Sequence, residues 1–398
     1  MPPLMPVAEA RERILEGFTL GPVENVPLAR GLGRSLARPV SAKRSQPPAD
    51  VSAMDGYAVR SADLGVLPKA LRVIDEIAAG QSASIVLGQY EAVRIFTGAL
   101  MPAGADMVAL QENATRIGSE VVIERGEVSI GKHVRKAGGD FKAGDVTLSE
   151  GLCLSARDIA LLSAMNHANV EVVRKPRIGV LATGDELVRP GGILGPAQIV
   201  AASLDGLLAQ IEAWGSEAID LGIAPDNRAA ILAAAVRDDL DALVTLGGAS
   251  VGDHDLVKQA LSEGGLDVGF WKIAMRPGKP LISGTFRGRP FLGLPGNPVS
   301  AMICALLFLK PAIFKALGRC GPVWTFGQRP LAVALPPNDE REDYLRARLV
   351  EGLVVPHPVQ DSGQLLPLAL ADVLALRPPR DPAKAAGSLI DVIFLDRD

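Results

Sequence analysis

The sequence predicts a multidomain α/β protein in which a three-layer α/β/α domain follows N-terminal mixed α+β domains and precedes a small C-terminal β-barrel. Three observations carry this prediction. The chain has 398 residues, too many for one ordinary core, so two to four domains are expected. From residue 176 onwards, apolar strand-like runs alternate with helix-like runs, as in a parallel sheet covered by helices. Before residue 176 and beyond residue 322, short strand-like runs are separated by turns rich in glycine and proline.

The N-terminal part reads as an elongated helical and linker domain with a mostly β domain inserted into it. Apolar residues at helical spacing predict a helix from about Val7 to Leu36. The prolines of segment 46–50 break that pattern, and β-like runs follow. Ser155 is a suitable N-cap for the next helix. We place the helical domain at residues 1–47 and 137–175 and the inserted domain at 48–136.

The alternating region is placed at residues 176–320, and the terminal barrel at 321–398. Predicted strands cover 178–181, 217–221 and 242–246, and predicted helices cover 199–214, 227–236 and 256–261. Asp226 is the predicted N-cap of the second of these helices. In open parallel sheets, ligands bind outside the carboxyl ends of the strands. Because three polar or glycine-rich loops follow predicted strands there, they predict one shared site: 183–186, 247–250 and 295–297.

Composition excludes several classes of protein. Hydrophobic residues make up 48% and charged residues 22%, which is typical of a folded globular chain. A net charge of −4 gives no reason to expect a nucleic-acid partner. Three scattered cysteines without CxxC spacing indicate neither a zinc site nor a disulfide scaffold. No secretory signal is seen, and the longest apolar run, 301–309, is far short of the ~20 residues of a membrane span. We therefore predict a cytoplasmic protein without membrane attachment.

Two neighbouring turns predict a site that holds an anion. Segment 294–300 places a Pro-Gly turn between a strand-like run and a helix-like run, so free backbone N–H groups point outward and Ser300 lies close by. Segment 275–280 is a second such turn and carries cations. In strand geometry Lys272 and Arg276 share a face, and Lys279 follows the turn. Three converging cations suit a dianion, although a solvated charged edge is the plain alternative.

Carboxylates at the strand ends predict a magnesium site. Asp185 and Glu186 follow the strand that ends at Ala182. Mg²⁺ is bound by one or two carboxylates together with phosphate oxygens and water. A turn with a helix-capping aspartate is the alternative interpretation.

A glycine-rich loop at 245–255 predicts contact with phosphate. Gly247 and Gly248 allow close backbone approach, and Ser250 adds a hydroxyl group. The loop is neither a Walker A loop nor a GxGxxG fingerprint. One of Asp253 and Asp255 is expected to cap the following helix. An aspartate beside a phosphate loop is unfavourable unless a cation mediates, which strengthens the magnesium prediction.

The segment 52–60 places Asp55 in an Asp-Gly turn among small residues, far from the sheet in sequence. Such a loop is suited to enter a site from another domain or subunit. From its chemistry alone it is equally well explained as a turn.

Taken together, these segments resemble the molybdopterin molybdenumtransferase family, which includes the E domain of gephyrin. Six matching segments occur in the family's order: 52–59, 96–99, 183–187, 247–252, 276–280 and 294–300. The tail segment 361–365 extends the match to the last domain. The resemblance implies a molybdopterin-binding-like α/β domain, four domains in all, and an elongated homodimer. It also implies the reaction, in which molybdate is inserted into adenylylated molybdopterin with Mg²⁺ assistance, AMP is released, and molybdenum cofactor forms.

The resemblance also implies roles for single residues. Asp55 and Thr97 resemble the N-terminal contributions to the active site, made across the dimer. Glu186, Asp226 and Asp255 resemble the acidic functional positions, with Glu186 and Asp255 as metal ligands. The substrate- and anion-binding set is Gly247, Gly248, Ser250, Lys272, Arg276, Lys279 and Ser300.

Two segments depart from the family pattern. Arg276 stands where many relatives have lysine, so a forked guanidinium replaces a point charge. Segment 135–140 departs from the usual arginine-rich acidic form, which weakens the transfer of roles to Arg135 and Asp140.

The sequence favours two other functions less. A peptide-binding scaffold of the gephyrin type would carry a further N-terminal domain and linker, for which 398 residues leave no room. The related adenylyltransferase shares the α/β domain but lacks the N-terminal region that holds segment 52–59. Beyond molybdate and adenylylated molybdopterin, the resemblance implies molybdopterin adenylyltransferase and molybdoenzyme chaperones as partners.

Overall fold

The computed structural model describes residues 4–248 and 256–395, and the predicted multidomain α/β architecture is confirmed. The first helix, Val7–Glu16, packs its buried face (Val7, Ala10 and Ile14) into the core of the α/β domain. The prediction of a helix as far as Leu36 is wrong. Gly17, Gly21 and Pro22 end the helical pattern, and the chain continues as strand Val23–Pro27 and the single turn Leu28–Arg30.

Three short strand pairs tie the two halves of the N-terminal domain together. Strand Val23–Pro27 pairs with Asn169–Val173, Val40–Ser41 with Val146–Leu148, and Val51–Ser52 with Val134–Arg135. The last pair marks where the chain leaves for the inserted domain and returns from it. Helix Ala156–Ala164 follows, and Ser155 is its N-cap as predicted.

Replacing Ser155 with alanine should weaken this helix by about 1 kcal/mol. The Ser155 hydroxyl accepts from the Asp158 N–H at 3.4 Å, and the Ser155 N–H donates to Asp158 Oδ2 at 2.8 Å, which closes a reciprocal capping box. Amide hydrogen exchange over the helix should become roughly 5-fold faster. Ser163→Ala, at an exposed position of the same helix, is the matched control and should leave exchange nearly unchanged.

The inserted domain is a six-stranded, mainly antiparallel sheet. Its helical content is limited to the short turns Ser61–Asp63 and Gln111–Asn113. Core clusters lie on both faces of the sheet, so the domain has its own interior. Across the sheet, the strands are Met107–Leu110, Gly56–Val59, Glu91–Ile95, Lys69–Ile77, Glu120–Ile123 and Ala114–Ile117.

The α/β domain is built on a second six-stranded sheet, whose first four strands are parallel. Separate apolar clusters fill its two faces, which gives the predicted three layers. The strands across the sheet are Glu217–Ala224, Arg177–Thr183, Ala242–Leu246, Arg289–Leu294, Ile282–Phe286 and Leu266–Trp271. The helices are Ala202–Ala213, Arg228–Ala235, Leu256–Glu263, Pro298–Cys304 and Lys310–Ala316.

Two predictions about helix starts in this domain are wrong. The helix expected over 199–214 begins at Ala202, because Ile199–Val200 forms a short parallel pair with Leu187–Val188. The N-cap of the next helix is Asn227, whose Oδ1 accepts from the Ala230 N–H at 3.2 Å. Asp226, the predicted cap, is thereby left for the site.

The helix predicted over 301–309 is longer than its apolar run. It continues from Pro298 to Ala316 through a π-helical turn at Ala305–Leu309. Within the part of the chain that the structure describes, this 19-residue helix alone has the length and composition of a membrane span. Most of it is buried inside the protein, and Val299, Phe308 and Ile313 belong to the main core.

The C-terminal domain is the predicted barrel. Leu331 follows strand Phe326–Pro330 directly and bridges Val354 of strand Leu353–Pro356. The Ala332 N–H donates to Val354 O at 2.8 Å, so the two edges of the sheet meet. Short strand Met275–Arg276 of the α/β domain pairs alongside Glu342–Val350 and joins the two domains. The barrel strands are Phe326–Pro330, Glu342–Val350, Leu353–Pro356, Val373–Arg377 and Leu389–Phe394, with helix Leu365–Ala369 between them.

Candidate functional site

Three loops at the carboxyl ends of the parallel strands meet around one cavity of about 1000 Å³. The Gly247 N–H donates to Leu294 O at 3.2 Å, which joins two of the loops. Gly247 has φ +89°, and a Cβ there would lie 2.9 Å from Thr183 O, so only glycine fits between the loops. The predicted convergence of the loops is therefore seen in the structure.

Two of the predicted carboxylates line this cavity. Glu186 and Asp226 are both exposed to it, from loops that follow adjacent strands. The Asp226 N–H donates to Asp185 Oδ1 at 3.1 Å, which holds the two loops together. Asp185 is thus a loop-bracing residue, and Glu186 is left to face the cavity.

The glycine loop is placed only in part. Gly247 and Gly248 line the cavity beside Pro295 and Gly296. The predicted residues Ser250 and Asp255 fall in segment 249–255, outside the described residues.

The carboxylates of the cavity suit a magnesium ion whose remaining ligands are oxygen atoms of the bound substrate. Among residues 4–248 and 256–395, no group of three or more His, Cys, Asp or Glu side chains is arranged to hold a metal ion. Two carboxylates on one cavity, with room for phosphate oxygens and water, are nevertheless the arrangement that Mg²⁺ accepts.

The barrel contributes one wall of the cavity. Gly363 and Leu365 line it, and Ser362 connects the barrel to the Pro-Gly-Asn turn. The Asn297 Nδ2 group donates to Ser362 Oγ at 3.0 Å, and the Val299 N–H donates to Ser362 O at 3.1 Å. Segment 361–365, predicted only as part of the family resemblance, therefore lies at the site.

The three predicted cations have different surroundings in the structure. The chain does not continue as one strand through them: the strand ends at Trp271, and Lys272 has φ +69°. The prediction that Lys272 and Arg276 share a strand face is therefore wrong. Arg276 is paired with Asp343 and Asp339 of the barrel, and also donates to Asn338.

Lys279 is differently placed. It is exposed next to the cavity-lining residue Pro280, and its ammonium group has no hydrogen bond or ion pair with any residue in the described ranges. Ser300 lies buried in the first turn of its helix, two residues beyond the lining residue Pro298.

Arg346 is an unexpected buried charge near the same wall. The residue is fully buried on strand Glu342–Val350, and none of its three guanidinium nitrogens has a partner among the described residues. Burial lowers the pKa of Arg346, and the charge of Asp361 opposes that shift. A buried guanidinium without a partner is unfavourable unless an anion satisfies it, so Arg346 is a candidate anion-binding residue that sequence reasoning missed.

Asp55 and Thr97 form a compact pair in the inserted domain. Asp55 Oδ1 accepts from the Thr97 N–H at 2.8 Å and from the Thr97 hydroxyl at 2.7 Å. The bond from the Thr97 N–H, followed by that from its hydroxyl, lowers the pKa of Asp55, so the carboxylate is ionised at neutral pH. Within the described part of the chain, no hydrogen bond or ion pair links this pair to the α/β cavity.

A second cavity, of about 700 Å³, lies beside this pair. It is lined by Arg44, Arg135 and Asp140, with Gly98 next to Thr97 on its wall. The structure therefore brings Asp55, Thr97, Arg135 and Asp140 to one region of the N-terminal half.

The fold and the two clusters define a multidomain α/β protein with a cavity lined by carboxylates and glycines at the carboxyl ends of parallel strands. Three family models cover most of the chain: the MoeA N-terminal region (domain I and II) matches residues 5–166, the probable molybdopterin binding domain matches 179–315, and the MoeA C-terminal region (domain IV) matches 328–395. The chain belongs to the MoeA family.

Related proteins match most or nearly all of the chain in sequence. A molybdopterin molybdenumtransferase of Nostoc sp. is 36% identical over 99% of this chain and 94% of its own length. Another from Haemophilus influenzae is 37% identical over 79% of this chain and 78% of its own length. The crystal structure of a molybdopterin biosynthesis MoeA protein from Pyrococcus horikoshii superposes with a TM-score of 0.86, at 32% identity, covering 98% of this chain and 99% of that one.

Proposed function

We propose that this protein is a molybdopterin molybdenumtransferase, which inserts molybdate into adenylylated molybdopterin and releases AMP. The observation that carries the proposal is the cavity where the three strand-end loops meet, with two carboxylates, two glycines and a barrel wall around it. Relatives named molybdopterin molybdenumtransferase support it.

The residues divide the work by their chemistry. Gly247 and Gly248 let the backbone approach phosphate oxygens, because neither carries a side chain. Glu186 is the proposed magnesium ligand among the described residues, with Asp255 as its predicted partner, and Asp226 lines the same cavity. Bound Mg²⁺ would neutralise phosphate charge and stabilise the leaving AMP.

Molybdate must be drawn towards a substrate that already carries negative charge. Without cations nearby, that encounter is repulsive. Lys279 is exposed beside the cavity, and Arg346 lies buried behind the barrel wall. We propose Lys279 as the cation that receives molybdate first.

The second half of the active site is proposed to come from a partner subunit. Asp55 and Thr97 form no bond with the α/β cavity within the described residues of one chain, yet their geometry leaves an ionised carboxylate on the surface. A homodimer in the cytoplasm would bring this pair to the cavity of its partner. Molybdopterin adenylyltransferase and molybdoenzyme chaperones are the proposed partners upstream and downstream.

The activity is tested directly by incubating the protein with adenylylated molybdopterin, molybdate and Mg²⁺ and measuring AMP release. AMP formation that depends on molybdate supports the proposal. If the protein binds the substrate but releases no AMP for as long as it stays folded, the result would contradict the proposal.

Mixing two inactive variants tests the shared site. Asp55→Asn and Glu186→Gln should each lower AMP release at least about 10-fold, since each removes a carboxylate charge from the reaction. Mixed dimers of the two should regain part of the rate, because one of their two sites has both intact residues. The control is a mixture in which subunit exchange is verified but both partners carry Asp55→Asn. No recovery in exchanged Asp55/Glu186 mixtures would argue that each site lies within one chain.

A further inference from the structure

A third cavity, of about 690 Å³, lies between two helices of the α/β domain and the barrel. Its walls come from helix Ala202–Ala213, the long helix 298–316, helix Leu365–Ala369 and the end of strand Leu389–Phe394. We call it the interhelical cavity. Among the described residues, its lining includes neither carboxylate of the strand-end cavity, so the reaction proposed above does not use it.

Aromatic and other apolar side chains form most of the wall of the interhelical cavity. Phe314 and Phe394 line it together with the thioether of Met302. Trp214, which is 8% exposed, lines it from the end of helix Ala202–Ala213. Aromatic rings and thioether sulfur atoms make favourable contacts with another ring. A cavity of this size is in the range of sites that hold small organic ligands, so its walls favour a flat ring system.

Two polar side chains on one turn of this wall lack partners. Gln210 Oε1 is shielded from solvent and has no hydrogen-bond partner among residues 4–248 and 256–395. The indole N–H of Trp214, four residues later, also has none in those ranges, whereas the indole N–H of Trp324 donates to Leu306 O at 3.1 Å. A shielded amide oxygen without a partner is unfavourable. A ligand that donates to Gln210 would remove this penalty.

These groups define the polar edge of the ligand. The side-chain amide of Gln210 presents a carbonyl acceptor and an NH₂ donor in one plane. A lactam, which is a cyclic amide, carries N–H and C=O side by side and complements both. Among the described lining residues, only Lys310 carries a charge, and its ammonium group lies 5.7 Å from the centroid of the Phe314 ring. A cationic ligand is therefore disfavoured, and a neutral aromatic lactam fits.

We propose that the interhelical cavity binds a neutral, flat aromatic molecule with a lactam edge. Gln210 pairs with the N–H and C=O of that edge, and Trp214, Phe314 and Phe394 contact the ring. The inference goes beyond the proposed function and does not rest on it, because binding is measured without adenylylated molybdopterin or molybdate.

The probe is 2-quinolone, a neutral bicyclic lactam, and N-methyl-2-quinolone is its matched analogue without the N–H donor. Isothermal titration calorimetry of the parent protein should show binding of 2-quinolone and about 10-fold weaker binding of the analogue. In Gln210→Leu, the two probes should bind equally, because the acceptor that distinguishes them is gone. Gln89→Leu, at an exposed position of the inserted domain, is the matched control and should keep the 10-fold preference of the parent.

Hydrogen exchange of peptides covering 202–214 separates a ligand-binding role of Gln210 from a structural one. In the parent protein, 2-quinolone should slow exchange in this segment, which locates the probe. Without the probe, Gln210→Leu should exchange within about 2-fold of the parent, because replacing an unpaired polar group by an apolar one of similar size is nearly neutral. Exchange that is about 5-fold faster or more would show that the amide supports the helix, and would contradict the assignment.

Two further results would overturn the proposal. If 2-quinolone does not bind the parent protein, the interhelical cavity is not a site for this class of ligand. If Gln210→Leu still prefers 2-quinolone to its N-methyl analogue as strongly as the parent does, Gln210 does not read the lactam edge. A preference that disappears in Gln210→Leu and persists in Gln89→Leu, together with slower exchange over 202–214, supports it.

Discussion

Replacing Arg276 with alanine is expected to destabilise the junction between the α/β domain and the barrel by about 2–3 kcal/mol. Asp343 is the reason. Its side chain is only 4% exposed, its Oδ2 pairs with Arg276, and its Oδ1 has no partner among the described residues. Without Arg276, the Asp343 carboxylate stays buried with no compensating charge. Because Arg276 is nearly half exposed, water would enter its place, so the effect stays below that of a fully buried pair.

Hydrogen exchange of strand Glu342–Val350 measures this effect locally, which suits a multidomain chain better than a global unfolding transition. Arg228→Ala is the control, because it breaks an ion pair with Glu263 in which both side chains are at least half exposed. That exposed pair should contribute less than about 1 kcal/mol. Equal effects of the two substitutions would mean that Arg276 is an ordinary surface residue and available to a ligand.

The effect should also depend on pH, with a defined sign. Burial raises the pKa of Asp343, and the charge of Arg276 opposes that shift. A carboxyl group whose pKa is higher in the folded state favours folding below its unfolded pKa, and this contribution is lost as pH rises through the folded value. Removing Arg276 raises the folded pKa further. The destabilisation by Arg276→Ala should therefore be larger at pH 7 than at pH 4, and the reverse order would contradict this account.

The layered fold was predictable because its strands carry an unambiguous signal. Strand Ala242–Leu246 is buried throughout and matches its predicted bounds, since a strand covered on both faces must be apolar along its length. The helix predicted to reach Leu36 failed because a helical period over residues 7–15 does not show where the helix ends. The Asp226 cap failed for a similar reason, because Asp226 and Asn227 are adjacent and both can cap.

Site residues that lie in a loop after a strand were predictable, whereas contacts between two domains were not. Glu186, Asp226 and the glycines lie in loops that follow strands, so their convergence follows from the sheet alone. The pairing of Arg276 with Asp343 joins residues 67 positions apart, and no local sequence pattern predicts it. Arg346 looks like an ordinary polar position in an alternating strand, and only the docking of the barrel shows that it is buried.

These contacts change which cation should meet molybdate. Arg276 is held by the barrel, whereas Lys279 has no partner among the described residues and lies beside the cavity. Lys279→Ala should therefore weaken the use of molybdate more than the binding of the nucleotide substrate. Losing one charge-assisted contact should cost about 1.5–3 kcal/mol, or about 10- to 100-fold in apparent affinity for molybdate.

Titrating molybdate at saturating adenylylated molybdopterin, with AMP release as the signal, measures this effect. High molybdate should restore much of the rate in Lys279→Ala, because the loss is one of binding and the carboxylates remain in place. Lys279→Arg should fall between the parent protein and Lys279→Ala, since it keeps the charge but changes its geometry. Arg348→Ala, at an exposed barrel position, should titrate like the parent protein. A half-saturating molybdate concentration that is unchanged in Lys279→Ala would show that Lys279 is a solvated surface residue and that the first encounter with molybdate occurs elsewhere.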